Sequence, residues 1–213
     1  MKILAIADVH GRTNFDKKVA QIITSADLVI IAGDITNFGD EKEAQSILEN
    51  FVALNKKIFV VPGNCDLLSV NDVLTREGSN LHGEIKIIEN ITFCGVGGCS
   101  KTPFHTPQEY SESEIEELLH RFNKKENTRF HILVSHAPPY KTKADKIFLG
   151  LHVGSRTIRN FIETFQPDLV VCGHIHEARG SDKIGNTIII NPGPFPKHYA
   201  VITLAEAIDY ELY

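Results

Sequence analysis

The chain has 213 residues, 42% hydrophobic and 23% charged, and 22 Lys+Arg against 27 Asp+Glu give a net charge of −5. That composition excludes a disordered or collagen-like chain, and the acidic balance argues against nucleic acid as a partner, since such binding depends on neutralising phosphates. No apolar run approaches the ~20 residues that span a bilayer, and the apolar start of the chain stops at Asp8, too short for a signal peptide; we therefore expect a cytoplasmic protein with no membrane partner, folded as a single domain over residues 1–213.

In chain order, residues 3–7 read as a strand that is apolar at nearly every position and so buried on both faces. A helix over 15–25 follows, then a second buried strand over 28–32. Asp40 is placed to cap a helix over 40–54, and 57–61 is a third buried strand. Residues 85–88 and 91–96 are strands joined by a turn at Glu89-Asn90. Cys94-Gly95-Val96-Gly97-Gly98-Cys99 falls one glycine short of a dinucleotide fingerprint, and Pro103 and Pro107 block the helix that would have to follow. It reads instead as a tight, Gly-rich strand end, with a loop whose missing side chains let a substrate approach as the alternative. Ser111 and Glu114 form a capping box for a helix over 111–122. Residues 130–135 are a buried strand, Ser155 caps a helix over 156–165 that Pro167 stops, and 169–172 is a further buried strand. Strands over 183–191, turning at Gly185-Asn186, and over 200–204 complete the chain. Strands 85–88, 91–96, 183–191 and 200–204 are expected to pair antiparallel, and the whole reads as α/β with mixed sheets. The four cysteines contain no CxxC pair and are read as reduced thiols.

Chemistry-bearing residues cluster where the buried strands end: Asp8-Val9-His10, Gly33-Asp34, Gly63-Asn64-Cys65-Asp66, His136 and Gly173-His174-Ile175-His176. Ligands of open α/β sheets bind outside the carboxyl ends of the strands, so one cleft can collect all five loops. Asp8 and His10 share a face of an extended segment, as do His174 and His176. Two Asp, one Asn and four His make seven O/N donors, too many for one tetrahedral zinc and suited to two metals sharing a carboxylate.

This ordered set resembles the calcineurin-like metallophosphoesterase superfamily, near its Icc-related members with Gly-Asn-Cys-Asp. The resemblance implies a four-layer α/β/β/α sandwich with two mixed β-sheets. It implies that Asp8, His10 and His176 hold one metal, that Asp34 bridges, and that Asn64, His136 and His174 hold the second. The implied cofactors are two divalent ions, manganese first, with iron, zinc, nickel or cobalt as alternatives. The implied reaction is hydrolysis of small nucleotide-like phosphate esters, chiefly diesters, by a metal-bridging hydroxide. A phosphomonoesterase of narrow specificity and a non-catalytic scaffold of the same fold are the alternatives. Cys65 stands where the family usually has a histidine that can protonate the leaving group, and a thiol is a weaker donor. Cys65 itself, His152 and His105 are then the candidates for that role. The helix that begins after Gly154-Ser155 offers an N-terminus that can hold an anion. Exposed apolar residues such as Phe195 are the candidate surface of a homodimer.

Overall fold

The computed structural model describes residues 1–122 and 126–213. The chain runs through β1 (Lys2–Ile6), α1 (Lys17–Ser25), β2 (Leu28–Ala32), α2 (Glu41–Val52), β3 (Ile58–Val61), α3 (Val70–Arg76), β4 (Ile85–Ile88) and β5 (Ile91–Val96). It continues with β6 (Cys99–Ser100), β7 (Glu109–Tyr110), α4 (Glu112–His120), β8 (Phe130–Ser135), α5 (Arg156–Phe165), β9 (Leu169–Val171), β10 (Gly180–Ile184), β11 (Thr187–Asn191), β12 (Ala200–Leu204) and β13 (Ile208–Leu212).

The strands form a five-stranded sheet in the order β13-β12-β1-β2-β3 and a six-stranded sheet in the order β10-β11-β9-β8-β5-β4, with a short β6-β7 pair beside them. Period-two alternation decides the layers. Ile3 and Ala5 of β1, Leu28 and Ile30 of β2, and Ile132 and Val134 of β8 meet between the sheets. Leu4, Ile6, Val29 and Ile31 turn the other way, onto Val19, Ile23, Ile47 and Phe51 of α1 and α2. Leu133 and Val170 pack outward onto Ile115, Leu119, Ile158 and Ile162 of α4 and α5. Both sheets are thus covered on both faces, which is why their central strands are apolar throughout. The result is the expected four-layer α/β/β/α sandwich.

Helix starts follow the capping chemistry read in the sequence. Asp40 accepts from the backbone N–H of Lys42 and Glu43, both at 3.0 Å. Ser111 and Glu114 form their capping box. Three expectations need correction. Strand β5 is antiparallel to β4 but parallel to β8, and β11 is parallel to β9, because both lie inside the second sheet rather than in a separate meander. The N-terminus of α5 is already occupied by a carboxylate of this chain: Glu112 accepts from Ser155 Oγ, Arg156 N and Thr157 N at 2.8, 3.2 and 2.8 Å. Phe195 is not exposed; it is fully buried, its ring 5.7 Å from those of both Phe15 and Phe51.

His82 lies beside the Gly-rich end of β5. Its Nδ1 accepts the Gly97 N–H at 2.8 Å and its ring stacks on Tyr110. Burial, helped by the Arg121 charge, pushes its pKa down to about 4 from 6.5. The unfolded chain therefore binds the His82 proton more tightly than the folded one. This contribution to stability is complete above pH 6.5 and is lost as pH falls toward 4, up to about 3 kcal/mol at the limit. In chelator-treated protein the urea midpoint is expected to fall across that window, and His82→Gln, which keeps an acceptor for Gly97, is expected to fall less steeply.

Candidate metal centre

The carboxyl ends of β1, β2 and β3 in one sheet and of β8 and β9 in the other reach the same edge of the inter-sheet core. Backbone bonds lock the loops together: Asp8 N to Gly33 O at 3.1 Å, His10 N to Asp34 O at 2.8 Å, and Gly173 N to His136 O at 3.0 Å. Asp8, His10, Asp34 and His174 all adopt left-handed backbone, with φ of 54°, 46°, 50° and 68°. Such conformations cost a non-glycine residue of order 1–3 kcal/mol and persist only where the surroundings over-determine them. Here they turn four side chains inward at the strand ends.

Two glycines make the close approach possible. A Cβ on Gly33 would lie 2.2 Å from His136 Nδ1, and one on Gly63 would lie 2.0 Å from Asp34 Oδ1. Asp66, fully buried, joins the second and third loops by accepting from Ile35 N, Thr36 N, Thr36 Oγ1 and Gly63 N at 2.8–3.1 Å. Burial first, then the neighbouring Asp34 charge, pushes its carboxyl up to about 6.

The donor atoms face one another. His136 Nδ1 lies 2.8 Å from the Ala32 carbonyl, which can only accept, so the proton belongs on Nδ1 and the lone pair on Nε2. That Nε2 is 2.9 Å from Asn64 Oδ1 and 3.5 Å from Asp34 Oδ2. The Asn64 amide is held the other way round by Thr106, which takes a bond from Nδ2 at 3.1 Å. Two lone pairs therefore oppose each other. His10 Nε2 lies 3.4 Å from His176 Nε2 and 3.6 Å from Asp34 Oδ2, and His176 Nε2 lies 3.5 Å from Asp8 Oδ1. His174 gives its backbone N–H to Asp8 Oδ1 at 3.0 Å, and its ring sits 5.1 Å from that of His136. Asp8 Oδ2 and His10 Nδ1 are buried with no hydrogen-bond partner among the described residues. Among the described residues, three sets of donors each lie within 4.8 Å of one another: Asp8, His10 and His176; His10, Asp34 and Cys65; Asp8, Asp34 and His136. A cation fits the opposed lone pairs of His136 and Asn64 and the orphaned Asp8 oxygen, because it removes the repulsion without needing a proton.

Titration behaviour follows from the same crowding. Burial raises the Asp8 carboxyl, but the His176 hydrogen bond, the neighbouring His136 and His176 rings and the His174 N–H outweigh it, and its pKa ends lowered. Burial depresses His10, and drives His174 down to about 4. The hydrogen bond to Asp8 raises His176. Burial, followed by the Asp34 charge, pushes the Cys65 thiol far above the ordinary range, so it stays a neutral thiol.

His152 and His105 stand outside these sets. His105 is exposed, adjacent to the Thr106 that orients Asn64. His152 Nδ1 is bonded to Asp145 Oδ1 at 2.6 Å. Asp145 is fully buried and also accepts from Lys141 N, Thr142 N and Gly154 N at 2.8–3.1 Å. The turn Lys143–Asp145 packs against the turn His176–Ala178, whose first residue belongs to the donor set around Asp8. Sequence reading missed Asp145 and Thr106. Neither belongs to a motif, and the only signal for Asp145 was an acid seven residues before a loop histidine.

Residues 1–178 match the family described as calcineurin-like phosphoesterase. Among curated proteins, the chain is 45% identical over 200 residues to the uncharacterized protein MJ1162 of Methanocaldococcus jannaschii, covering 91% of this chain and 88% of that one. It is 27% identical over 187 residues to a protein named probable glycerophosphodiester phosphodiesterase GpdQ of Arcobacter nitrofigilis, covering 84% of this chain and 66% of that one. The fold is shared with the phosphopantetheinyl hydrolase PptH of Mycobacterium tuberculosis, at a TM-score of 0.66 and 15% identity over 92% of this chain and 90% of that one. It is likewise shared with a dimetal phosphatase from Danio rerio, at 0.63 and 12% over 100% and 95%. Among the described residues no helix is long and apolar enough to cross a membrane. The match over residues 1–178, and the Asp and His donors gathered within it, place the chain in the calcineurin-like phosphoesterase family, as a metal-dependent hydrolase of phosphate esters.

Proposed function

We propose that the chain, as one domain, hydrolyses small nucleotide-like phosphodiesters at a pair of divalent cations, with manganese the first candidate. The observation that carries this reading is the gathering of Asp and His donor atoms within 4.8 Å of one another around the buried Asp8 Oδ2, which has no hydrogen-bond partner among the described residues. In the proposed assignment Asp8, His10 and His176 hold one cation, Asp34 serves both, and Asn64, His136 and His174 hold the other. When bound, such a pair lowers the pKa of water and offsets charge on the phosphoryl oxygens. A relative named as a phosphodiesterase supports the diester preference.

The remaining roles fall to groups of the chain itself. Asp66 and the Ala32 carbonyl fix the loops and the His136 tautomer before any ligand arrives. Thr106 presents Asn64 through its oxygen. Cys65 gives its backbone N–H to Asp34 Oδ1 at 2.8 Å, and its thiol is a weaker proton donor than an imidazolium. His152 is better suited to protonate the leaving oxygen from Nε2, because Asp145 holds Nδ1 and so sets the ring's orientation.

Manganese-loaded protein is expected to hydrolyse bis(p-nitrophenyl) phosphate, and Asp34→Asn to lower kcat/KM by about 100-fold or more, as loss of a shared ligand should. Absence of turnover with every divalent ion tried would contradict the reading. For His152→Gln, kcat is expected to drop by about 100-fold on an alkyl diester, whose leaving oxygen needs a proton, and by less than about tenfold on a nitrophenyl diester. Equal losses on both would remove His152 from that role.

A further inference from the structure

We infer that the cavity beside His176 receives the organic arm of the substrate and selects arms carrying a second negative charge; this rests on the phosphodiesterase reading above. The cavity measures about 920 Å³, enough for a mononucleotide-sized group, and its walls include Arg12, Phe15, Phe148, His176, Arg179 and Lys197. His176 thus belongs both to this cavity and to the donor set around Asp8. Arg12 is close enough to the centre for its charge to oppose protonation of both His10 and His176.

The charge pattern points to an anion. In a chain of net charge −5, three cations gather on one cavity, and among the described residues none of Arg12, Arg179 and Lys197 forms an ion pair. Two acids share the wall. The Asp16 carboxylate is engaged as the cap of α1, accepting the Val19 N–H at 2.9 Å, and Glu177, like Arg12, Arg179 and Lys197, is exposed to solvent, so the cations outnumber the acids on this wall by three to two. The stem of Arg179 lies against the turn after β11, where a Cβ on Gly193 would come within 2.9 Å of its Cδ. Guanidinium groups suit a terminal phosphate because they present paired donors. Phe148 stands 91% exposed at the rim, at the tip of a tight loop closed by the Ile147 N–H to Leu151 O bond at 3.0 Å. An aromatic ring so exposed on a cavity wall offers a face for a flat base. Together these features fit a nucleotide arm with a phosphate beyond the scissile one.

The p-nitrophenyl ester of thymidine 5′-phosphate and the same ester bearing an added 3′-phosphate share one leaving group and differ by that one anion. The 3′-phosphorylated ester is expected to show a kcat/KM higher by about tenfold or more. In Arg12→Gln/Arg179→Gln the ratio is expected to fall toward one. Calorimetric binding of thymidine 3′,5′-bisphosphate against thymidine 5′-phosphate should show the same preference and the same loss, without any ester being cut. Equal values for the two esters and the two ligands in the unmodified protein, or a preference that survives the double substitution, would overturn the inference while leaving the phosphodiesterase reading intact. Failure to cut any diester, with the binding preference present, would instead overturn that reading and keep the anion site.

Discussion

Two carboxylates buried at the mouth of the inter-sheet core govern the rest of this molecule. Asp8 is fully buried and Asp34 is 3% exposed, and among the described residues neither pairs with a lysine or arginine. An uncompensated buried carboxylate costs several kcal/mol. The chain offsets part of that cost with backbone amides, the His174 N–H on Asp8 and the Cys65 N–H on Asp34, and with imidazoles rather than strong bases. The compensation is incomplete, as the partnerless Asp8 Oδ2 shows. The left-handed turns, the glycines that a Cβ would drive into His136 or Asp34, and the Asp66 tie between two loops all serve to hold this unfavourable constellation still.

Much of the fold was legible because burial on both faces leaves a plain mark. The strands at 28–32, 85–88, 91–96, 130–135 and 200–204 and the helix at 156–165 fall where the pattern places them. Helix α3 was missed because seven residues, without a side-chain cap from Ser69, carry too little periodicity to read. Strand β13 alternates apolar and polar residues, but it is short and pairs only at the sheet edge. β5 and β11 are antiparallel to their hairpin partners as expected, but the parallel neighbour on the other side of each was not read, because it depends on which sheet a strand joins and no local pattern records that.

The seven expected donor residues are brought to one edge, and their spacing was readable because each follows a strand end by only a few residues. The supporting groups were less visible. Thr106 and Asp145 act through single hydrogen bonds across 42 and 7 residues of sequence, with no motif around them. The α5 N-terminus, expected to be open to an anion, is filled by Glu112 from another helix, a contact that only tertiary packing reveals. The cations that the acidic average conceals sit instead on the wall beyond His176.

If this edge is built for cations, the metal content of the protein reports it without any substrate. Protein stripped with chelator, dialysed against manganese or zinc and assayed by elemental analysis should retain two equivalents per chain, and Asp8→Ala should retain fewer. Retention of no metal by the unmodified chain, or an unchanged content in Asp8→Ala, would contradict the account.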